Sequence, residues 1–329
     1  DTIGPDISRW RTEVWSEISD LVDGLVPDWA CTLLSHVAEA YSAKGSRPLA
    51  APVIRVLLDA IRFPGAAVLE HELTHGFPAI GPMPLGTGWP SRDCPKPIVP
   101  LKRDEFLVES CDYIRTVASS RQPDKHAQRL LAEVWEERAL KRIRGPFQAH
   151  PSWGFSAVMP TGAQSFGCPD LLPFPEGECV ASIAFGIEQL DASGGIIKVR
   201  RGEDWRRSHH NRATIVRDRP LHDTVLGARY LYNRDHSHPP IHLWGHDHEG
   251  AYRQLPTAEP ELSYMLLITE EGITVWQHVV LVFGATSSAW GYTIASAMPS
   301  WALDDSRWPP CASITWTTTA AWRSRAQPN

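Results

Sequence analysis

The sequence predicts an α+β chain, mainly helical over residues 1–145 and built on strands thereafter. Three observations carry this. Apolar residues recur at helical spacing in successive runs up to Gly145-Pro146, and most of these runs stop at Pro or Gly. After Phe147 the texture changes to short stretches rich in Val, Ile and aromatic residues, separated by turn signals. The chain has 329 residues, 43% hydrophobic and 21% charged, which suits an ordered core and rules against global disorder.

The elements follow in order. Over residues 9–25, Trp10, Val14, Ile18, Leu21, Val22 and Leu25 share one helical face, and Pro27 is expected to end the run. A second helix, roughly 28–42, carries Trp29, Leu33, Val37 and Tyr41. A third covers about 51–62, and a short fourth starts near Pro64 and stops at Gly76. Residues 76–100 hold seven prolines and four glycines, the composition of an irregular connector. Two more helices span about 103–120 and 124–144. Beyond them, Cys179–Phe185 and Gly195–Val199 suit strands joined by a turn at Ala192–Gly195. Ile241–Trp244 reads as a buried strand. Tyr264–Ile268 and Val275–Leu281 suit a hairpin turned at Glu270-Glu271-Gly272.

Charge and cysteine content narrow the function classes. The net charge of −6 argues against a general nucleic-acid binder. Yet Lys198 to Arg219 holds eight basic residues against three acidic ones, a local balance of +5 that suits phosphate. The six cysteines form no Cys-x-x-Cys pair, so reduced thiols in a nuclear or cytoplasmic protein are expected. No basic segment precedes an apolar core at Asp1, so no signal peptide is expected. Val279 to Leu303 is uncharged, but Gly284, Gly291, Pro299 and six Ser or Thr residues speak against a membrane span.

Two stretches raise metal chemistry. His71-Glu72-Leu73-Thr74-His75 places two histidines at i and i+4 with a carboxylate beside them, the pattern of zinc peptidases. Gly76 and Pro78 end that helix at once, and no Glu occurs between 76 and 104 to act as third ligand. The plainer account is a surface helix with incidental histidines. His236, His238, His242, His246 and His248 crowd around Asp247, but on an extended segment neighbours alternate faces, so His246 and His248 do not point the same way as Asp247.

Three further strings occur in a fixed order. Lys198-Val199-Arg200-Arg201-Gly202-Glu203-Asp204-Trp205-Arg206 is followed by Asn211. Asp247-His248-Glu249-Gly250-Ala251-Tyr252-Arg253-Gln254-Leu255 comes next, and Phe283-Gly284-Ala285-Thr286-Ser287-Ser288-Ala289 closes the set. The three resemble the fingers motif, motif A and motif B of retroelement reverse transcriptases. Asn211 stands two residues late for that pattern, and the Pro usual after the Phe-Gly loop is missing. Weaker echoes lie at Gly76–Gly81 and Arg144–Phe147.

The resemblance implies a fingers and partial palm over 146–303, an antiparallel sheet flanked by helices, behind a helical extension over 1–145. It implies two-metal nucleotidyl transfer by an RNA-directed DNA polymerase, with Mg2+, a template–primer and deoxynucleoside triphosphates as partners. Asp247 would be the carboxylate shared by both metals, helped by the backbone carbonyl of His248. Lys198 and Arg200 would hold the triphosphate. Tyr252 would reject a 2′-hydroxyl, and Phe283 and Gly284 would support the templating pair.

The second carboxylate string of this family, Tyr-x-Asp-Asp, is not in frame. Read two bases forward, one choice of codons for Ser313–Trp322 spells it, and one Asp is forced by Trp316-Thr317 whatever the choice. A frameshift near residues 298–308 is therefore expected, with 304–329 an out-of-frame tail and the chain inert as a polymerase. The alternatives are a zinc metallopeptidase on His71, Glu72 and His75, and a non-catalytic nucleic-acid-binding remnant.

Overall fold

A computed structural model describes residues 3–42, 50–85, 99–120, 122–218 and 250–304. Four helices come first: α1 (Ile3–Thr32), α2 (Ser35–Tyr41), α3 (Ala51–Ala60) and α4 (Ala66–His75). Then follow β1 (Gly81–Pro82), α5 (Arg103–Ser120), α6 (Ala127–Ala139) and β2 (Ile143–Arg144). The strand-rich part holds β3 (Ala181–Leu190), β4 (Ile196–Glu203), α7 (His210–Ala213) and β5 (Thr214–Ile215). β6 (Tyr264–Thr269), β7 (Gly272–His278) and α8 (Thr286–Asp304) complete it. The α+β reading holds.

Pro27 does not end α1, contrary to expectation. A proline removes one amide donor but leaves the next turn free to continue when tertiary contacts hold it. Here Trp29, 8% exposed, seats that turn in the core, and its indole Nε1 donates to Thr74 Oγ1 at 3.0 Å. Earlier on α1, Trp15 is by contrast 68% exposed.

Five strands form one sheet in the order β2-β7-β6-β3-β4. β6 and β7 make the expected hairpin, Tyr264 facing Gln277 and Thr269 facing Gly272. β3 and β4 make a second, longer one, Ala184 facing Glu203. Its turn is organised by Asp191, whose Oδ1 accepts from the amides of Ser193 and Gly195, both at 2.8 Å. One pairing departs from the expected antiparallel sheet: β3 runs parallel to β6, Ala181 beside Tyr264. The two strands are joined by a long connection, and only such crossovers allow parallel neighbours.

All six residues of β6 are buried, so both faces of the sheet are covered. Met265 and Leu267 pack on Leu130, Leu131, Val134 and Trp135 of α6. Tyr264 and Leu266 pack with Ile114 of α5 and with Trp153. The early helices share a core with the end of the described chain: Trp29, Leu69, Leu73 and Phe77 cluster with Leu255, Leu281, Trp290 and Ile294 of α8. Among the described residues no helix is long and apolar enough to cross a membrane.

Candidate functional site

From Val199 onward the side chains of β4 alternate between faces, and this sorts its charges. Val199, Arg201 and Glu203 point toward α6, with the side chains of Arg201 and Glu203 only 5% and 6% exposed. Lys198 and Arg200 point the other way and reach solvent. Their register partners on β3 are Gln189 and Ile187, and Arg200 Nε donates to Gln189 Oε1 at 2.9 Å. This outer face thus presents two cations beside the exposed Ile187 and Ile196.

The Phe283–Gly284 loop meets the other end of the same strand. Gly284 has φ +91, a conformation that favours glycine, and α8 begins two residues later at Thr286. Asn211 grips this turn from both sides. Its Nδ2 donates to Gly284 O at 3.0 Å, and its Oδ1 accepts from Thr286 N at 2.8 Å. The second bond satisfies one of the amides that a helix start leaves without an internal partner. Phe283 stays 49% exposed.

Tyr252 lies in a single 3-10 turn, Ala251–Gln254, entered through Gly250 at φ +67. Its ring meets Phe283 edge-on at 5.0 Å between centroids and Tyr292 of α8 at 4.9 Å. Partial burial in this cluster raises the phenol above its ordinary value. The three strings, with Asn211 counted to the first, therefore touch at two points, Asn211 on Gly284 and Tyr252 on Phe283.

Beneath that surface lies a buried ionic network that the sequence does not announce. Arg253, 3% exposed, donates from Nε to Glu137 Oε2 at 2.7 Å and from Nη2 to the same oxygen. Its Nη1 reaches His278 Nδ1 at 3.0 Å and Leu281 O at 3.1 Å. Arginine only donates, so Nδ1 of His278 must be the acceptor and the imidazole is neutral. His278 Nε2 then faces Glu203 Oε2 at 3.0 Å, off the N–H direction and so as a close polar contact rather than a straight hydrogen bond. Arg201 contacts Glu203 at 3.2 Å, Glu133 at 3.7 Å and Glu137 at 4.0 Å. Arg142 adds a further contact to Glu137 at 3.4 Å.

The titration behaviour follows from this packing. Burial alone would raise Glu137, but Arg253 and Arg201 outweigh it and hold the carboxyl at about 2. At Glu203 burial is likewise opposed, by the His278 contact and by Arg201 and Arg253, which hold the carboxyl below its ordinary value. His278 itself is held below its ordinary value, first by burial. With the imidazole neutral, Glu203 meets an N–H dipole there, and the arginines supply the charge. Three arginines (142, 201, 253) balance three glutamates (133, 137, 203), as a buried network requires.

Glu137 and Glu203 are thus engaged by arginine, Glu203 through Oε1 alone, while its Oε2 has no hydrogen-bond partner. Asp247 and His248 lie outside the described residues, as do the strand expected at Ile241–Trp244, the rest of the histidine cluster and the tail beyond Asp304. Among the described residues no three His, Cys, Asp or Glu side chains converge as a metal would need. His71 and His75 do sit side by side on α4, rings stacked at 4.3 Å, and both are exposed. Glu72 turns away from them into the core, 4% exposed, where burial pushes its carboxyl up to about 8. It is not placed to act on a water held by the two imidazoles.

Lys198, Arg200, Tyr252, Phe283 and Gly284 stand out in the sequence as candidates, whereas Glu137, Arg253 and His278 do not stand out there as a set. Arg253 and Glu203 do lie inside two of the motif-like strings; Glu137 and His278 carry no local signal. No protein-family model matches the chain, and no curated protein matches it in sequence.

Proposed function

We propose that the chain is a fingers-and-palm piece of a reverse-transcriptase-like RNA-directed DNA polymerase, one that binds a template–primer and does not extend it. The observation that supports this reading is the meeting of three separate strings at one surface, through Asn211 on Gly284 and Tyr252 on Phe283. Lys198 and Arg200 supply cations on the exposed face of β4, where a phosphate backbone gains most from them. In the aromatic cluster of Tyr252, Phe283 and Tyr292 the half-exposed Phe283 supplies a ring for a base to stack on. In the intact parent, Asp247 would hold Mg2+, which supplies charge stabilisation at the phosphates. One carboxylate does not serve two ions, so this chain is expected to be inert.

The test is a fluorescent RNA–DNA hybrid titrated at several salt concentrations. Binding should weaken steeply with salt, and Lys198→Ala with Arg200→Ala should lower the slope by about two. No primer extension should occur with Mg2+ and deoxynucleotides until the reading frame beyond residue 298 is restored, and Asp247→Ala should abolish it again. Absence of hybrid binding, or binding that salt does not touch, would refute the proposal.

A further inference from the structure

Arg253 and Tyr252 are neighbours on a 3-10 turn, where successive side chains stand about 120° apart. One goes inward to the ionic network and the other outward to the aromatic cluster. The guanidinium bonds three separate elements at once: Glu137 on α6, His278 on β7 and the carbonyl of Leu281, two residues before Phe283. From that position it sets two things together. It fixes the rotation of the turn that carries Tyr252, and it anchors the strand exit that carries Phe283. Leu281 N also donates to Leu255 O at 2.8 Å, so the two segments run side by side past the anchor.

We infer that Arg253, held by Glu137, is a positioning residue: it locks the Tyr252 ring against Phe283 and so shapes the exposed aromatic surface. What the surface binds rests on the function proposed above, whereas the positioning does not. The geometry gives the fork of arginine a specific task. Two of its nitrogens bond one carboxylate while a third bonds an imidazole and a carbonyl. Lysine carries the same charge but has no fork, and it cannot make these bonds in those directions. His278 contributes as a neutral acceptor, and Glu203 with Arg201 fixes the imidazole from its far side.

The experiment reads Tyr252 directly. The seven tyrosines are replaced by 3-fluorotyrosine, and the fluorine resonance of Tyr252 is assigned by its loss in Tyr252→Phe. In Arg253→Lys that resonance should move toward the free-amino-acid position, while that of the buried Tyr264, packed in another cluster, stays in place. A folded Arg253→Lys chain with all seven resonances unmoved would overturn the inference, since an ion pair that merely holds the fold leaves the ring where it was. If that variant does not fold, Arg253→Met with Glu137→Leu removes both charges together and is read the same way, with the same two outcomes. Adding the RNA–DNA hybrid to the unaltered protein separates the two claims. No response at Tyr252 would count against the proposed function alone, because the positioning is read without ligand.

Discussion

Asn211 and Gly284, 73 positions apart, are joined so that one side-chain amide spans the turn ahead of α8. The backbone dictates which way the amide faces. The Gly284 carbonyl only accepts and the Thr286 amide only donates, so nitrogen must lie toward the first and oxygen toward the second.

Asn211→Ala should therefore cost more than a surface change. It leaves one carbonyl and one helix-start amide without this partner, a loss of about 1–3 kcal/mol by urea denaturation. Asn211→Asp keeps the acceptor for Thr286 and loses the donor for Gly284, so it should fall between Ala and the unaltered protein.

Arg253→Met should destabilise far more, by about 3–5 kcal/mol, because it strips Glu137 of its main partner and takes the donor from His278. Adding Glu137→Leu should restore a good part of that loss, since the unpaired carboxylate goes too. A double-mutant cycle in urea measures the difference; losses that simply add would show that the two residues are not coupled.

Acid stability should bear the mark of the same network. Glu137 sits at about 2 in the folded chain against an ordinary 4.5, and Glu203 is held below its ordinary value by the same arginines. A depressed folded value means the unfolded chain binds protons first as pH falls. Their contribution is complete above about pH 4.5 and drains away toward pH 2. Glu203→Gln should lower stability at pH 7 yet flatten its decline through this window, which denaturation at a series of pH values would show.

Glu72 has the opposite sign. Its folded value is about 8 against an ordinary 4.5, so the folded chain holds the proton longer and stability falls as pH rises between those values. Glu72→Gln keeps the size and removes the titration. It should raise the melting temperature at pH 8 and change little at pH 4. The gain at pH 8 is a few kcal/mol at most, since each pH unit between the two values is worth about 1.4 kcal/mol. Melting curves at the two pH values test this.

Zinc gives a separate check on α4. The stacked pair His71 and His75 offers two ligands, and catalytic zinc sites use three from the protein. Dialysis against zinc followed by elemental analysis should retain less than one ion per chain. Stoichiometric zinc that His75→Ala removes would revive the peptidase reading.

Much of the architecture was legible because it is written in short-range patterns. The 3.6-residue spacing in 103–120 matches α5 over its whole length, and the Glu270-Glu271-Gly272 signal sits where β6 turns into β7. Pro27 misled because propensity knows nothing of Trp29 in the core. Of the site, the cations on β4 and the Phe283–Gly284 loop were legible as strings. Their joining by Asn211 was not, since that bond depends on where two remote backbones come to rest.

The sequence by itself determined most of the helices and the two hairpins, because period and turn chemistry are local. Tertiary structure alone decided that β3 pairs in parallel with β6, that Glu72 turns inward, and that Arg253 finds Glu137 from 116 residues away. The physical reason is that a buried charge is defined by its partners. No property of an arginine in its own string says which carboxylate, imidazole or carbonyl will be folded against it.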